Sequence, residues 1–275
     1  MSVRLGGGRI GRTLIVLIAS LAVVVPLLWA LRVALRPVES YIGDPAGLGG
    51  GFTFANFKHA WDAGLGQALL NSLLIVGIGS VMATALAAVA GYGLAKEEMP
   101  GKPVVVALSV LTLVVPISSI AIPLFDQSLQ LGLLDSRPAL GLMYGSLFAG
   151  WGALFLRAYY ATLPDELIDA ARVDGAGSWR TFRSIALPLA GPAIATVLVL
   201  NLFIQWSELL LALVMLPTTS HQTASAVLAQ MSTQFRAGGP LTAAGLFITV
   251  APIVVAFLVS QRWLRAEVFG GAVKG

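Results

Sequence analysis

The sequence predicts an all-α protein that crosses a membrane several times, and three observations predict it. Hydrophobic residues make up 57% of the 275 and charged residues only 11%, with a mean hydropathy of +0.87. A soluble domain carries about twice that charge. The apolar residues gather in runs near the ~20 residues a helix needs to cross a bilayer core. Lys and Arg fall unevenly on the segments between those runs. A soluble enzyme is thereby excluded, and the net charge of +4 reports topology rather than nucleic acid. Without cysteine there is no disulfide framework, thiolate nucleophile or cysteine metal site. His59 and His221 lie far apart outside the runs and read as solvated loop histidines.

In chain order, residues 1–12 form a short basic tail with Arg4, Arg9 and Arg12 among glycines. Six apolar runs follow, at 13–31, 68–95, 104–125, 139–156, 190–215 and 241–260. They define one span region, 13–262, and leave 263–275 as a second tail. The first run lacks a small-residue cleavage site, and five more follow, so it reads as a span and not as a secretory signal. Segment 32–67 is a glycine-rich loop of mixed charge. Asn71, opening the second run, reads as a cap or interface anchor. Pro116 and Pro123 are expected to kink the third run, with Ser118 and Ser119 available to the freed carbonyls. Trp151, Trp206 and Trp263 read as interface-belt residues.

With six spans both termini share a side. Twelve Lys and Arg lie on the two tails and in the segments 96–103 and 157–189. The other side holds five: Arg32, Arg36, Lys58, Arg137 and Arg236. The positive-inside rule puts the richer group, and so the 157–189 loop, in the cytoplasm.

That loop is the most charged part of the chain. It sets Arg172, Arg180 and Arg183 against Asp165, Glu166, Asp169 and Asp174. A charge at the centre of a spanning helix costs roughly 2.5–3.5 kcal/mol on insertion scales, so the segment belongs in water. Thr162 is placed to cap a helix starting at Pro164, with Asp165 and Glu166 at its positive end. Leu167, Ala170 and Ala171 fall on one face. Gly175 and Gly177 end that helix, with φ > 0 expected at Gly175. Ser178 is placed to cap a second short helix that Pro188 limits.

Asp169, Ala170, Ala171, Gly175, Ile185, Leu187 and Pro188 stand in the register Glu-Ala-Ala, three residues, Gly, nine residues, Ile, one residue, Leu-Pro. This resembles the cytoplasmic coupling loop of permease subunits in ATP-binding-cassette (ABC) importers. Asp169 replaces the usual Glu, one methylene shorter, which puts any salt bridge of that Glu in doubt. Asn71-Ser72-Leu73, Gly91-Tyr92-Gly93-Leu94-Ala95, Leu131-Gly132-Leu133-Leu134-Asp135, Trp206-Ser207-Glu208 and the final Gly271-Ala272-Val273-Lys274-Gly275 extend the likeness. They are similar to the smaller of the two permease subunits of maltose-type carbohydrate importers. The resemblance implies a six-span type I importer permease in a bacterial cytoplasmic (inner) membrane. It implies a second related permease, two ABC ATPase chains docking on Asp169–Pro188, an external solute-binding protein and lipid as partners, with no nucleic acid.

No Gly-x-x-x-x-Gly-Lys-Ser/Thr phosphate loop occurs, and Gly101-Lys102-Pro103 lacks both the loop and the hydroxyl. No cofactor is expected in this chain, and ATP and Mg fall to the partner ATPase. No bond chemistry is expected of it either.

Asn201, Gln205 and Glu208 lie on one side of the fifth run, at spacings of four and three, with Trp206 beside them. Glu208 is about 27 Å along from Ala190 at ~1.5 Å per residue, near the outer edge of the core. Two readings stand. The residues form a polar stripe along a substrate path. Alternatively, Asn201 and Gln205 make interhelical hydrogen bonds and Glu208 sits at the interface. For the whole chain, a secondary transporter or channel would favour buried acidic or His relays and repeat halves. A scaffold subunit explains the apolarity but not the loop register.

Overall fold

The computed structural model describes residues 6–47, 49–234 and 239–271, with side chains for 11–47, 49–233 and 239–261. Arg4, Arg9, Arg236, Arg262, Trp263, Arg265 and the final 272–275 side chains lie outside those ranges. Among the described residues all regular structure is helical. The order is α1 (Gly6–Ala34), α2 (Val38–Gly43), α3 (Ala55–Ala60), α4 (Gly66–Lys96), α5 (Lys102–Val114), α6 (Ile117–Gln130), α7 (Arg137–Leu147) and α8 (Ala149–Ala161). Then come α9 (Asp165–Val173), α10 (Ser178–Thr181), α11 (Leu187–Leu189), α12 (Gly191–Trp206), α13 (Leu210–Met215), α14 (Ala224–Gln234) and α15 (Pro240–Gly271). The expected tail boundaries at 12/13 and 262/263 fall inside α1 and α15.

Three stretches are long and apolar enough to span unaided: Gly11–Ala34, Ala55–Lys96 and Pro240–Gln261. Three bent helix pairs qualify only as pairs: α5 with α6 at 105°, α7 with α8 at 40°, and Ser178–Leu189 with α12 at 77°. Six spans result if each bent pair counts as one. The largest bend has a plain cause. Pro116 lacks an N–H and holds Val115 extended (φ −78°, ψ 115°), so α6 starts afresh with Pro116 ahead of it. Pro123, also expected to kink this run, sits inside α6 without ending it.

The chain divides into two compact units, 1–65 with 228–249 and 66–227 with 250–275. In the first, the expected loop after α1 is ordered by buried Arg36. Its guanidinium donates to the carbonyls of Gly47 (2.8 Å) and Ser40 (3.0 Å), while Asn56 donates to the carbonyls of Ala34 and Arg36 (2.8 Å each). Arg32 lies over the Phe52 ring.

The second unit is built on α4, which packs against α7, α8 and α12. Small residues set the spacing. A Cβ at Gly91 would meet Leu156 Cβ at 2.9 Å and the Ala153 carbonyl at 3.1 Å, so α4 and α8 are in near backbone contact there. One core cluster joins Ala87, Tyr92, Leu156, Tyr160, Ile168, Phe182 and Val197. A second joins Ile75, Leu140, Tyr144, Leu211 and Met215.

Candidate functional site

The charged loop folds as expected in outline: helix α9, a glycine turn, and a second helical stretch, Ser178–Leu189. Gly175 has φ +79° and donates to the Arg172 carbonyl (3.0 Å), while the next amide, of Ala176, reaches the Ala171 carbonyl (2.9 Å). These bonds close the end of α9. The caps differ from expectation. Pro164, extended at φ −55° and ψ 130°, precedes α9, and the Thr162 hydroxyl turns back to the Tyr159 carbonyl (2.7 Å) at the end of α8. Gly177, not Ser178, holds the cap position of α10. Pro188 does not end the second stretch either. A wide π-helical turn, Phe182–Ala186, precedes it and makes room for a ring that a regular α-turn would clash with.

The expected common face of Leu167, Ala170 and Ala171 is split. Ile168 and Ala171 are buried in the chain's own core, whereas Leu167, Ala170 and Val173 face outward with Trp179 exposed as well. Ala170 therefore has the exposure a docking residue needs, and Ala171 does not. Asp169 is exposed and pairs with Arg172 (3.4 Å), one turn away. Ile185 and Leu187 are half-buried, and Pro188 is exposed. Phe182 and Ala186 root the second stretch in the core beside Tyr92 and Tyr160.

The end of α4 grips α9. Lys96, its side chain only 6% exposed, donates to the Asp165 carboxylate (2.6 Å) and to the Leu163 carbonyl (2.7 Å). Arg172 lies 3.6 Å from Glu97 and donates to the Lys96 carbonyl (3.3 Å). Both ends of the nine-residue helix are thus tied to one pair of residues. The sequence showed a Lys-Glu-Glu run but not which loop it meets.

The polar stripe resolves into a seam between helices. Asn201 and Gln205 are both buried on α12. Asn201 accepts from Trp151 Nε1 (3.1 Å) and donates to Thr84 (3.2 Å), and Gln205 Oε1 accepts from Ser80 (3.3 Å). These bonds are interhelical, and they bring in Trp151 of α8. Gln205 Nε2 has no partner among the described residues. Trp206, half-buried, borders an apolar cavity of about 180 Å³ with Leu73, Val76, Leu202 and Ile253.

Glu208 does not lie on that helix. The expected run 190–215 breaks after Trp206, and Glu208 sits in the gap before α13. Its carboxylate accepts from the amides of Leu211 (3.0 Å) and Ala212 (3.3 Å) and from the Tyr144 hydroxyl (2.5 Å). The break and the acid explain each other. A new helix start exposes unpaired N–H groups, and this carboxylate satisfies two of them. Tyr144 is 64 residues distant in sequence, so spacing alone left the path and interface readings of Glu208 both open.

At the opposite end of α4, Asn71 donates to the carbonyls of Ser220 (2.8 Å) and Gln222 (2.9 Å) and accepts from Arg137 (2.8 Å). Ser72 accepts from the Ala224 amide (2.8 Å). His221 Nδ1 meets both the carbonyl and the carboxylate of Asp135 at 3.0 Å, so it is a loop clasp and not simply a solvated side chain. Burial works against the Asp135 charge. The Thr218 hydroxyl and amide, with His221, outweigh it and hold the carboxyl below its ordinary value of 3.8.

Comparison with known proteins agrees with this architecture. Residues 87–269 match the family model described as binding-protein-dependent transport system inner membrane component. The chain is 32% identical over 263 residues to the diacetylchitobiose uptake system permease protein NgcG of Streptomyces coelicolor, covering 93% of this chain and 85% of that protein. It is 34% identical over 253 residues to the trehalose transport system permease protein SugB of Mycobacterium tuberculosis, covering 91% and 92%. The fold matches a chain of a bacterial ABC transporter involved in the import of alginate, with a TM-score of 0.81 at 18% identity over 95% of this chain and 99% of that one. The chain belongs to the family of inner membrane components of binding-protein-dependent transport systems, and it is a membrane-embedded permease subunit of an ABC importer.

Proposed function

We propose that this permease moves a carbohydrate-like solute by alternating access, driven by separate ATPase chains that dock on the loop 157–189. The observation that carries the reading is the two-sided build of that loop. Ile168, Ala171, Phe182 and Ala186 anchor it in the chain's core, while Leu167, Ala170, Val173 and Trp179 are left facing outward. A rigid, rooted element with an unburied apolar face suits a surface that another protein pushes. Two ATPases hold ATP and Mg, a second related permease completes the pathway, and an external binding protein delivers the solute. The names of the two relatives, a chitobiose derivative and trehalose, support a disaccharide or a similarly sized glycan as cargo.

The test is uptake by proteoliposomes holding the assembled complex and its binding protein, with labelled disaccharides offered in turn. The expected result is uptake of at least one disaccharide that needs ATP hydrolysis and stops with an ATPase variant unable to cleave ATP. Uptake that continues without hydrolysis would instead support a secondary transporter.

A further inference from the structure

The two ends of α4 make unlike but equally complete clasps, and together they suggest a route. At one end Lys96 and Glu97 hold α9 through Asp165, the Leu163 carbonyl and Arg172. At the other, Asn71 and Ser72 hold the backbone of Ser220, Gln222 and Ala224. The two sites are 25 positions apart on one helix, about 37 Å at ~1.5 Å per residue.

Lys96 is the unusual member. An ammonium group is seldom this buried, and here two oxygen acceptors at 2.6 and 2.7 Å compensate it. Its partner Asp165 stands at the first turn of α9, where a carboxylate is favoured in its own right. Pulling α9 away from α4 would strand the ammonium, so the two move together. Near this end, the Gly91 contact holds α4 close against α8.

We propose that Lys96 is the positioning residue that passes displacement of α9 to α4, and that Asn71 passes it on to the loop at 217–224. The proposal rests on the reading of 157–189 as the ATPase-driven loop and adds the path the motion takes.

The test uses the complete transporter in proteoliposomes, with native cysteines removed from the other subunits. A spin label at Ser220→Cys, which is exposed, reports on the far loop. With Lys96 intact, ATP is expected to change the label's spectrum. Lys96→Met should abolish that change and lower solute moved per ATP hydrolysed at least tenfold, while the ATPase still co-purifies and hydrolyses ATP. Lys96→Arg, which keeps a donor for both acceptors, should restore both readouts. Asp165→Asn, at an exposed position, provides a milder cut and should give an intermediate loss. Asn71→Leu should silence the label without affecting ATPase binding. Wild-type transport per ATP in Lys96→Met or Asp165→Asn would overturn the proposal. So would loss of the ATPase from Lys96→Met, because Lys96 would then build the docking surface and not relay from it. If the unaltered chain binds no ATPase through 157–189, the functional reading fails first, and that result is distinct from either.

Discussion

At the scale of single residues, we propose that Glu208 is a structural acid. Its carboxylate caps α13 and holds Tyr144, the largest fully buried side chain near it. Glu208→Ala leaves two amides and a buried hydroxyl without partners, at about 1–3 kcal/mol for each unsatisfied group. The expected outcome is a lower melting temperature for the detergent-purified complex, with an unchanged transport rate per surviving complex. A path residue would give the reverse: normal melting and slow transport. Asp135 makes a pH prediction. Its folded-state carboxyl titrates below 3.8, so its stabilisation of the 217–222 loop is fully present above that value. It is lost as the pH falls through the lower folded-state value. A spin label at Ser220→Cys should stay restrained down to about pH 4 and loosen below. Loosening already well above about pH 4 would contradict this role for Asp135.

At the scale of elements, the glycine turn and the split face of α9 are the parts to perturb. A Cβ at Gly175 would meet nothing within 4 Å, so Gly175→Val is purely a backbone penalty. A left-handed conformation costs an L-residue about 1–2 kcal/mol, more when β-branched. The α9 turn should rearrange and transport per ATP should fall, measured in proteoliposomes. Ala170→Trp and Ala171→Trp should differ sharply. The first adds bulk to an exposed face and should cost ATPase co-purification while the permease stays folded. The second forces an indole into the chain's own core and should destabilise the permease itself, by about 1–3 kcal/mol or more. The helix–glycine–helix plan of this loop was legible because charge, helical period and glycine placement are all local. The inward side of α9 was not, because Ile168 packs with Tyr92, Tyr160 and Phe182, contributed by three other segments. The Thr162 cap was misassigned because its hydroxyl donates back to the Tyr159 carbonyl and does not accept from an amide ahead.

At the scale of the molecule, apolar run length does not give the continuity of the helices. Hydropathy does not register a 105° bend, and of two prolines in the third run only Pro116 makes one. Residues 12–29 of α1 are all exposed within this chain, so lipid or another subunit must cover them. Orientation rests on twelve basic residues against five, and the cysteine-free chain lets it be read directly. A thiol at Ser178→Cys should react with an impermeant reagent from the cytoplasmic side alone, and one at Ser220→Cys from the outer side alone. The opposite pattern would invert the topology.

The central claim is that a separate ATPase drives this permease through the outward face of α9. Its most direct test is a bulky thiol reagent applied to Ala170→Cys in the assembled, transporting complex. The account predicts that modification releases the ATPase and stops ATP-driven uptake, with bound ATPase protecting the thiol beforehand. A fully modified Ala170→Cys complex that keeps its ATPase and transports at the unmodified rate would contradict it.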